Sequence, residues 1–266
     1  MKNVLSVQDL SCLGKCSLTV AMPVLSAMGC TCTPLPTALL STHTAFLNPY
    51  VRDLTEDLEK ICRHWQAIGA SFDAVSVGYL SDPGQAAAVE QVLDTFRAPL
   101  ILDPALGDNG KLYSGVTQDH LAAMERLCHR ATVLLPNVTE AALLTGTPYE
   151  QTTDPDYYRM LLALLQNFGP EAVILTGVSL EKGKIGYLGT GRRCGAFSRQ
   201  VPLLPSCHGT GDLFAATFTG AYVQGRSVCE SAALAAEFTE RALAASVPSP
   251  FGLCFESHLV WLTQQQ

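Results

Sequence analysis

Short apolar runs alternate with amphipathic segments along most of the chain. The runs are typical of buried β-strands, and the segments between them repeat their apolar positions at helical spacing. The predicted strands are residues 3–8, 30–39, 74–77, 100–102, 131–135 and 172–175. The predicted helices are residues 17–28, 53–68, 83–96, 118–128, 137–144 and 156–167.

The final third of the chain departs from this alternation. Residues 184–188 and 194–199 predict an antiparallel pair of strands, and the pattern from Gly209 onward is helical to the end. Apolar strands that alternate with amphipathic helices indicate an α/β fold, in which helices cover both faces of a mostly parallel sheet. No Gly/Ser-rich linker or repeat divides the sequence, so we expect residues 1–266 to form a single domain.

The composition excludes several classes of protein. With 48% hydrophobic residues and a net charge of −7, the chain lacks the basic excess of a nucleic-acid-binding protein. The long uncharged stretch 16–51 is interrupted by prolines and glycines, so we expect neither a membrane span nor a secretory leader. The ten cysteines lack zinc-site spacing, and we interpret them as thiols of a cytoplasmic protein.

Polar residues follow the predicted strands. Ligands of such sheets bind beyond the carboxyl ends of the strands, so these positions predict a binding rim, although loop starts are often polar for other reasons. The sequence has no GxGxxG, GxxxxGK[ST] or GxSxG motif, which disfavours dinucleotide-dependent, P-loop and α/β-hydrolase enzymes. The rim residues are Asp9, Thr37, Gly78-Tyr79, Asp103, Asn137 and Thr176-Gly177.

The segment Cys207–Phe218 carries the strongest chemical signal. Its two glycines, Gly209 and Gly211, precede an apolar helix, whose free N–H groups and dipole form an anion site without a basic side chain. Asp212 in the first turn would repel a phosphate, unless it accepts the proton of a hydroxyl that attacks the phosphate. Alternatively, Asp212 only stabilises the helix start, and the residues alone leave both roles open.

The run His-Gly-Thr-Gly-Asp-Leu-Phe-Ala at 208–215 resembles the anion-hole and base motif of the ribokinase-like kinases, specifically their vitamin B6 kinase branch. Other segments match that family in the same order, and the whole pattern is most similar to the bacterial pyridoxamine kinase type. These segments are Val4–Asp9 with Gly14, Pro36–Thr44, Gly78–Leu80, Asp103–Gly107 and Pro136–Glu140.

The resemblance implies a ribokinase-like three-layer sandwich and a phosphotransferase. Its substrates would be ATP with Mg²⁺ and a B6 vitamer (pyridoxal, pyridoxine or pyridoxamine), phosphorylated on the 5′-hydroxymethyl group. A monovalent cation such as K⁺ and a homodimer are further family expectations. Asp212 would be the base, and the amides of Gly209, Thr210 and Gly211 would hold the migrating phosphoryl group.

The resemblance also assigns the nucleotide end of the site. Asn137 and Glu140 lie one helical turn apart and would face Mg²⁺ and its waters, and Asp103 would help to order Mg·ATP. Thr176 and Gly177 would border the ATP phosphates. The alternative for Asn137 and Glu140 is a capping box that only stabilises a helix start.

Thr37, His43 and Tyr79 are the candidates for binding the B6 ring. Many B6 kinases have Ser-His after the first strand, whereas this chain has Asp9-Leu10. Asp9 would accept a hydrogen bond from the ring N–H or from an aminomethyl group, which hints at pyridoxamine. Cys207 precedes the helix start, where a thiol pKa can fall, and either packs or forms an adduct with pyridoxal.

Other functions fit parts of this pattern. Hydroxymethylpyrimidine kinase acts on a similar ring alcohol, but those kinases usually have Gly-Thr-Gly-Cys where this chain has Asp212. A sugar kinase is disfavoured because the early Gly-Gly-rich loop is absent. A non-catalytic B6-binding protein would need neither a base nor the metal-binding pair.

Overall fold

A computed structural model of the protein describes residues 1–205, 207–247 and 249–265. The strands are β1 (Lys2–Leu13), β2 (Cys30–Thr42), β3 (Val51–Asp53), β4 (Ala74–Val77), β5 (Leu100–Leu102), β6 (Gly107–Asp108), β7 (Lys111–Leu112), β8 (Val133–Leu134), β9 (Ala172–Val178), β10 (Lys184–Gly191) and β11 (Gly195–Pro202). The helices are α1 (Leu18–Ala27), α2 (Thr55–Ala67), α3 (Gln85–Phe96), α4 (Gln118–Cys128), α5 (Val138–Thr145), α6 (Pro155–Gln166), α7 (Thr210–Val223), α8 (Val228–Ala245) and α9 (Leu259–Thr263), the last preceded by a 3₁₀ turn, Glu256–His258.

Nine strands form one sheet in the order β11-β10-β9-β8-β5-β4-β1-β2-β3. The stretch from β2 to β9 is parallel throughout, whereas β3, β10 and β11 join antiparallel at the two edges. The short pair β6–β7 forms a separate hairpin after β5. This topology confirms the predicted mostly parallel sheet and the antiparallel pair that follows it.

Successive residues of each central strand face opposite layers of the sandwich. Leu100 and Leu102 of β5 pack into one apolar core with helices α2 to α6, whereas Ile101 between them packs into a second core with α1, α7, α8 and α9. This alternation follows from the two-residue period of a strand. Two buried cores therefore enclose the sheet, and the three-layer α/β/α arrangement confirms the predicted fold class.

Several predicted boundaries differ from the structure. Helix α4 and strands β4 and β5 match their predicted bounds, but β1 continues to Leu13, so that Asp9 lies inside the strand. The region after α8 is not helical throughout, because an irregular segment precedes Glu256. The strands β3, β6 and β7 were not predicted, since two or three residues carry no detectable period.

Within the described residues, none of the helices has both the length and the hydropathy of a membrane-spanning segment.

Candidate active site

A cavity of about 530 Å³ lies beyond the carboxyl ends of the parallel strands. This volume falls in the usual range of small-molecule sites. Most of the predicted site residues line it together, and Thr37 is the exception. The predicted residues on its wall are Asp9, His43, Tyr79, Asp103, Asn137, Glu140, Thr176, Gly177, Gly209, Thr210, Gly211 and Asp212.

The start of α7 forms the floor of this cavity. Gly209 is the N-cap, with φ 87°, and a Cβ on it would lie 2.2 Å from the carbonyl oxygen of Lys15. The hydroxyl of Thr210 donates to the carbonyl of Cys207 at 2.6 Å, which fixes the loop. The first N–H groups of a helix have no intrahelical acceptor, so those of Thr210 and Gly211 are available to an anion.

Asp212 lies in the first turn of α7, half-buried on the wall of the cavity. Burial raises the pKa of its carboxyl to about 7, and the nearby charge of Asp9 acts in the same direction. The backbone N–H of Ser17 faces the carboxyl and opposes the rise by stabilising the charged form. Asp212 is therefore poised to accept a proton near neutral pH.

Asp103 and Glu140 add two more carboxyls to this end of the cavity. A Cβ on Gly211 would lie 3.9 Å from Oδ2 of Asp103, which places Asp103 against the start of α7. Burial raises the pKa of both Asp103 and Glu140, and each is raised further by a neighbouring carboxylate: Asp212 for Asp103, and Asp103 for Glu140. A cation bound among these groups would relieve this repulsion.

The capping-box alternative for Asn137 and Glu140 is present in the structure. Oδ1 of Asn137 accepts from the N–H of Glu140 at 2.9 Å, and Oε2 of Glu140 accepts from the N–H of Asn137 at 2.8 Å. Oε1 of Glu140 accepts from the N–H of Leu106 at 3.3 Å. A carboxylate oxygen has a second lone pair, so this capping box fixes Glu140 without exhausting its acceptors.

The donor set fits a hydrated cation better than a closed metal cage. Within residues 1–205, 207–247 and 249–265, no three His, Cys, Asp or Glu side chains converge on a metal-binding point. Mg²⁺ commonly retains waters and uses one or two carboxylates together with ligand phosphates. Asp103 and Glu140 match that pattern, whereas the Nδ2 of Asn137 donates to the carbonyl of Gly107 at 2.8 Å.

Asp9 lies at the other end of the cavity, at an irregularity between β1 and β2. Gln8 pairs with Pro36 and Leu10 with Leu39, so Thr37 and Ala38 together oppose Asp9. Such bulges redirect side chains beside active sites. Asp9 is only 4% exposed, and burial raises its pKa despite hydrogen bonds from Ser11 and Ser17.

Thr37 does not face the cavity. Its side chain is completely buried, and its hydroxyl donates to the carbonyl of Tyr79 at 3.1 Å. Its contribution in this geometry is to hold the turn that carries Tyr79. A direct contact between Thr37 and substrate stays a prediction, with no support from the position of the hydroxyl.

His43 has one ring nitrogen bonded and the other without a partner. Nε2 lies 2.9 Å from the carbonyl oxygen of Pro250, so Nε2 carries the proton and donates. Nδ1 is buried with no hydrogen-bond partner, and burial lowers the pKa of the ring. The ring stacks on His208, 3.9 Å between centroids, and the pKa of His208 falls to about 4. A neutral His43 thus retains one buried acceptor, Nδ1, that no group of the described residues uses.

Part of the wall comes from residues that the sequence pattern did not indicate. Cys16 and Ser17 line the cavity from the β1–α1 loop, and Asp108 and Tyr113 line it from the β6–β7 hairpin and the loop after it. Cys207 also lies on the wall. Polar residues of short loops carry no periodic signal, and only the Cys16-Ser17 pair precedes an apolar helix in a recognisable way. An apolar side wall comes from β10, β11 and α8, at Ile185, Tyr187, Val201, Ala236 and Leu243.

Comparison with known proteins gives the chain a family. Residues 22–252 match the model of the phosphomethylpyrimidine kinase family. The chain belongs to this family. It therefore belongs to the ribokinase-like kinases, and the relatives it matches include vitamin B6 kinases. The resemblance that rested on the His-Gly-Thr-Gly-Asp run is confirmed.

The relatives include named pyridoxal kinases. Pyridoxal kinase of Arabidopsis thaliana is 26% identical over 82% of this chain and 73% of its own length. The structure of pyridoxal kinase from Lactobacillus plantarum is 32% identical, covers 100% of this chain and 98% of its own, and superposes with a TM-score of 0.91. A Bacteroides thetaiotaomicron structure that carries the name phosphomethylpyrimidine kinase, and that was determined with pyridoxal, is 34% identical, covers 98% of this chain and 95% of its own, and has a TM-score of 0.93.

The contact between Gly209 and Lys15 yields a prediction about stability. Gly209→Ala should lower the free energy of unfolding by about 3 kcal/mol, since it adds a clash with backbone to the strain of a positive φ. Gly225→Ala is the matched control: its φ is +99°, but open space surrounds the position. That control should lose about 1 kcal/mol, from strain alone. Equal losses in urea unfolding would show that the contact with Lys15 contributes nothing.

Proposed function

We propose that the protein is a pyridoxal kinase, which transfers the γ-phosphoryl group of ATP to the 5′-hydroxymethyl group of a B6 vitamer. The observation that carries the proposal is the position of Asp212. It combines a pKa near neutrality with a place in the first turn of α7, beside amides that an anion can reach. A carboxyl in that position is unfavourable for simple phosphate binding and suited to deprotonating an attacking alcohol.

The two ends of the cavity suit the two substrates. The apolar wall from β10, β11 and α8 offers a flat pocket for the adenine, and the hydroxyl of Thr239 on that wall is buried without a partner. Thr176 and Gly177 lie between this wall and Asn137, where we place the ATP phosphates. The vitamer then occupies the end with Asp9, His43 and Tyr79, and the two substrates meet at α7.

The transfer follows from this arrangement. The vitamer oxygen attacks the γ-phosphorus, the bond from that phosphorus to the β–γ bridging oxygen breaks, and ADP leaves. Asp212 takes the alcohol proton as the new O–P bond forms. The amides of Gly209, Thr210 and Gly211 stabilise the charge on the phosphoryl oxygens, each such donor being worth roughly 3–4 kcal/mol of barrier.

Asp103, Asn137 and Glu140 are the residues that we assign to Mg²⁺, mostly through its waters. Bound there with ATP, Mg²⁺ would neutralise charge on the β- and γ-phosphates. The capping box keeps Glu140 in place before nucleotide binds. Burial raises the pKa of both Asp103 and Glu140, and the neighbouring charges of Asp212 and Asp103, respectively, raise them further, so a cation bound here would stabilise the charged carboxylates.

At the vitamer end, three groups support recognition of the ring. His43 and Tyr79 both lie on the wall, and Nδ1 of His43 is a buried acceptor without a partner in the described part of the chain. The carboxylate of Asp9 suits a protonated ring nitrogen or the ammonium of pyridoxamine. A preference for pyridoxamine is therefore part of the proposal.

We extend the proposal to the state of the protein in the cell. Residues 1–266 form one kinase domain, and the chain works as a homodimer in the cytoplasm. Exposed apolar side chains along the β1–β2–β3 edge support association, with Leu13 53%, Leu39 37% and Val51 48% exposed. The ten cysteines are free thiols, in keeping with a reducing compartment.

An assay panel tests the proposal. Purified protein is given Mg·ATP, with and without K⁺, and each of the three vitamers or hydroxymethylpyrimidine, and ADP release is measured. We expect turnover of the vitamers, and Asp212→Asn should lower kcat at least about 10²-fold while it still binds the vitamer. Asp156→Asn, also a first-turn aspartate but in α6, is the control and should keep wild-type turnover. Faster turnover of the pyrimidine alcohol would favour hydroxymethylpyrimidine kinase, and binding without ADP release would favour a sensor.

The pKa of Asp212 predicts the pH dependence. Protonation removes the base, so kcat/KM should fall about tenfold per pH unit below about 7. His208, with a pKa of about 4, stays neutral in this window. Because the three vitamers have different ring chemistry, an inflection shared by all of them belongs to the enzyme. A profile that stays flat from pH 7 to pH 5 would contradict the role of Asp212.

Glu140→Gln tests the metal assignment. The Mg²⁺ concentration for half-maximal rate should rise about tenfold or more, as is common when a group around a bound metal loses its charge, while the KM for the vitamer stays unchanged. Glu230→Gln is the matched control, because Glu230 occupies the same capping-box position in α8 and does not line the cavity. An unchanged Mg²⁺ requirement in Glu140→Gln would remove this residue from the metal site.

A further inference from the structure

Ser17 has a backbone conformation that normally belongs to glycine. Its φ is 48° and its ψ is −126°, and the N–H of Thr19 donates to the carbonyl of Cys16 across it at 3.1 Å. These angles are those of the second residue of a type II′ turn, a position dominated by glycine. A serine there is strained, and strain of this kind persists only where the surroundings enforce it.

The side chain and the backbone of Ser17 reach two different carboxyls of the site. Its hydroxyl donates to Oδ1 of Asp9 at 2.5 Å, the length of a charge-assisted hydrogen bond. Its backbone N–H faces the carboxyl of Asp212. Ser11 donates to the remaining oxygen of Asp9 at 2.9 Å, so both oxygens of Asp9 are held. Ser17 is 5% exposed and lies on the cavity wall.

We propose that Ser17 is a positioning residue that acts on vitamer recognition through Asp9. Its hydroxyl fixes the carboxylate of Asp9 toward the vitamer, and its backbone N–H separately supports the base Asp212. This inference rests on the proposed kinase function. Glycine would fit the turn without strain but has no hydroxyl. The serine therefore strains the backbone of the turn and in return holds the carboxylate of Asp9 through its hydrogen bond.

These two contacts predict that variants at position 17 alter the binding of the vitamer but not its turnover. Loss of the hydroxyl frees Asp9 to rotate, which should weaken vitamer binding, whereas every variant at position 17 keeps its backbone N–H opposite Asp212. The KM and the Kd for the vitamer should therefore rise while kcat changes little. A serine with a merely structural role would not produce this division, because glycine suits its backbone angles better.

Ser17→Gly and Ser17→Ala carry the test, in the full-length protein. Both should raise the KM and the Kd for pyridoxamine about tenfold, because a carboxylate that has to be ordered on binding loses part of its affinity for the ligand, and both should leave the KM for ATP unchanged. Ser17→Gly should also melt at the same or a higher temperature than wild type, and Ser17→Ala at a lower one. Ser227→Gly, which removes the N-cap serine of α8 outside the cavity, is the matched control and should leave both KM values unchanged.

A double-mutant cycle identifies the route. If Ser17 acts through Asp9, Ser17→Gly should add almost nothing to the KM of Asp9→Asn. Full additivity, or an unchanged vitamer KM in Ser17→Gly, would overturn the inference even if the enzyme phosphorylates B6 vitamers normally. Failure of the wild-type protein to phosphorylate any vitamer is a different result, and it would overturn the proposed function itself.

Discussion

The site depends on a close approach of two backbones, the β1–α1 loop and the start of α7. Gly209 leaves no room for a side chain against the carbonyl of Lys15, and a Cβ on Gly252 would lie 2.9 Å from the same carbonyl oxygen. The segment that contains Gly252 is joined to both partners, because the N–H of Lys15 donates to Phe251 and the N–H of Leu253 to His208. With only backbone between them, Asp212 lies within reach of Ser17 and near Asp9. A larger residue at Gly209 would separate the base from the groups that tune it.

A second constraint is electrostatic. The side chains that line the cavity among the described residues include carboxylates but no Lys or Arg. Lys15, close in sequence, is paired with Glu256 at 2.7 Å instead. Positive potential for an anionic nucleotide must then come from the helix N-terminus and from a cation that the nucleotide brings. Burial of several carboxyls without a basic side chain raises their pKa values, and a cation that arrives with the nucleotide would oppose this rise.

The sequence alone predicted the strands and helices whose hydrophobic positions recur at a regular spacing, and the residues that belong to a recognisable motif. The parallel strands, α4 and the His-Gly-Thr-Gly-Asp run were predictable, because each depends on local pattern or on backbone chemistry at a helix start. Thr37 was placed in the binding rim from its position beside a strand, and the register shift opposite Asp9 turns it toward Tyr79 instead. The type II′ turn at Ser17 could not be predicted, since serine before an apolar helix normally indicates an ordinary N-cap with extended backbone.

Irregularities in the sheet occur at both ends of the cavity. In a regular ladder, successive side chains point to alternate faces of the sheet, where helices bury them. The extra residue of β2 opposite Asp9 and the unpaired Gly177 between Thr176 and Val178 both break that alternation. One break lies at the end that we assign to the vitamer and the other at the end that we assign to the phosphates. If the strands stayed regular to their ends, the helices would bury the polar side chains of the rim. The irregularities at Asp9 and Gly177 therefore weaken the hydrogen-bonded ladder locally and expose the polar rim to a ligand.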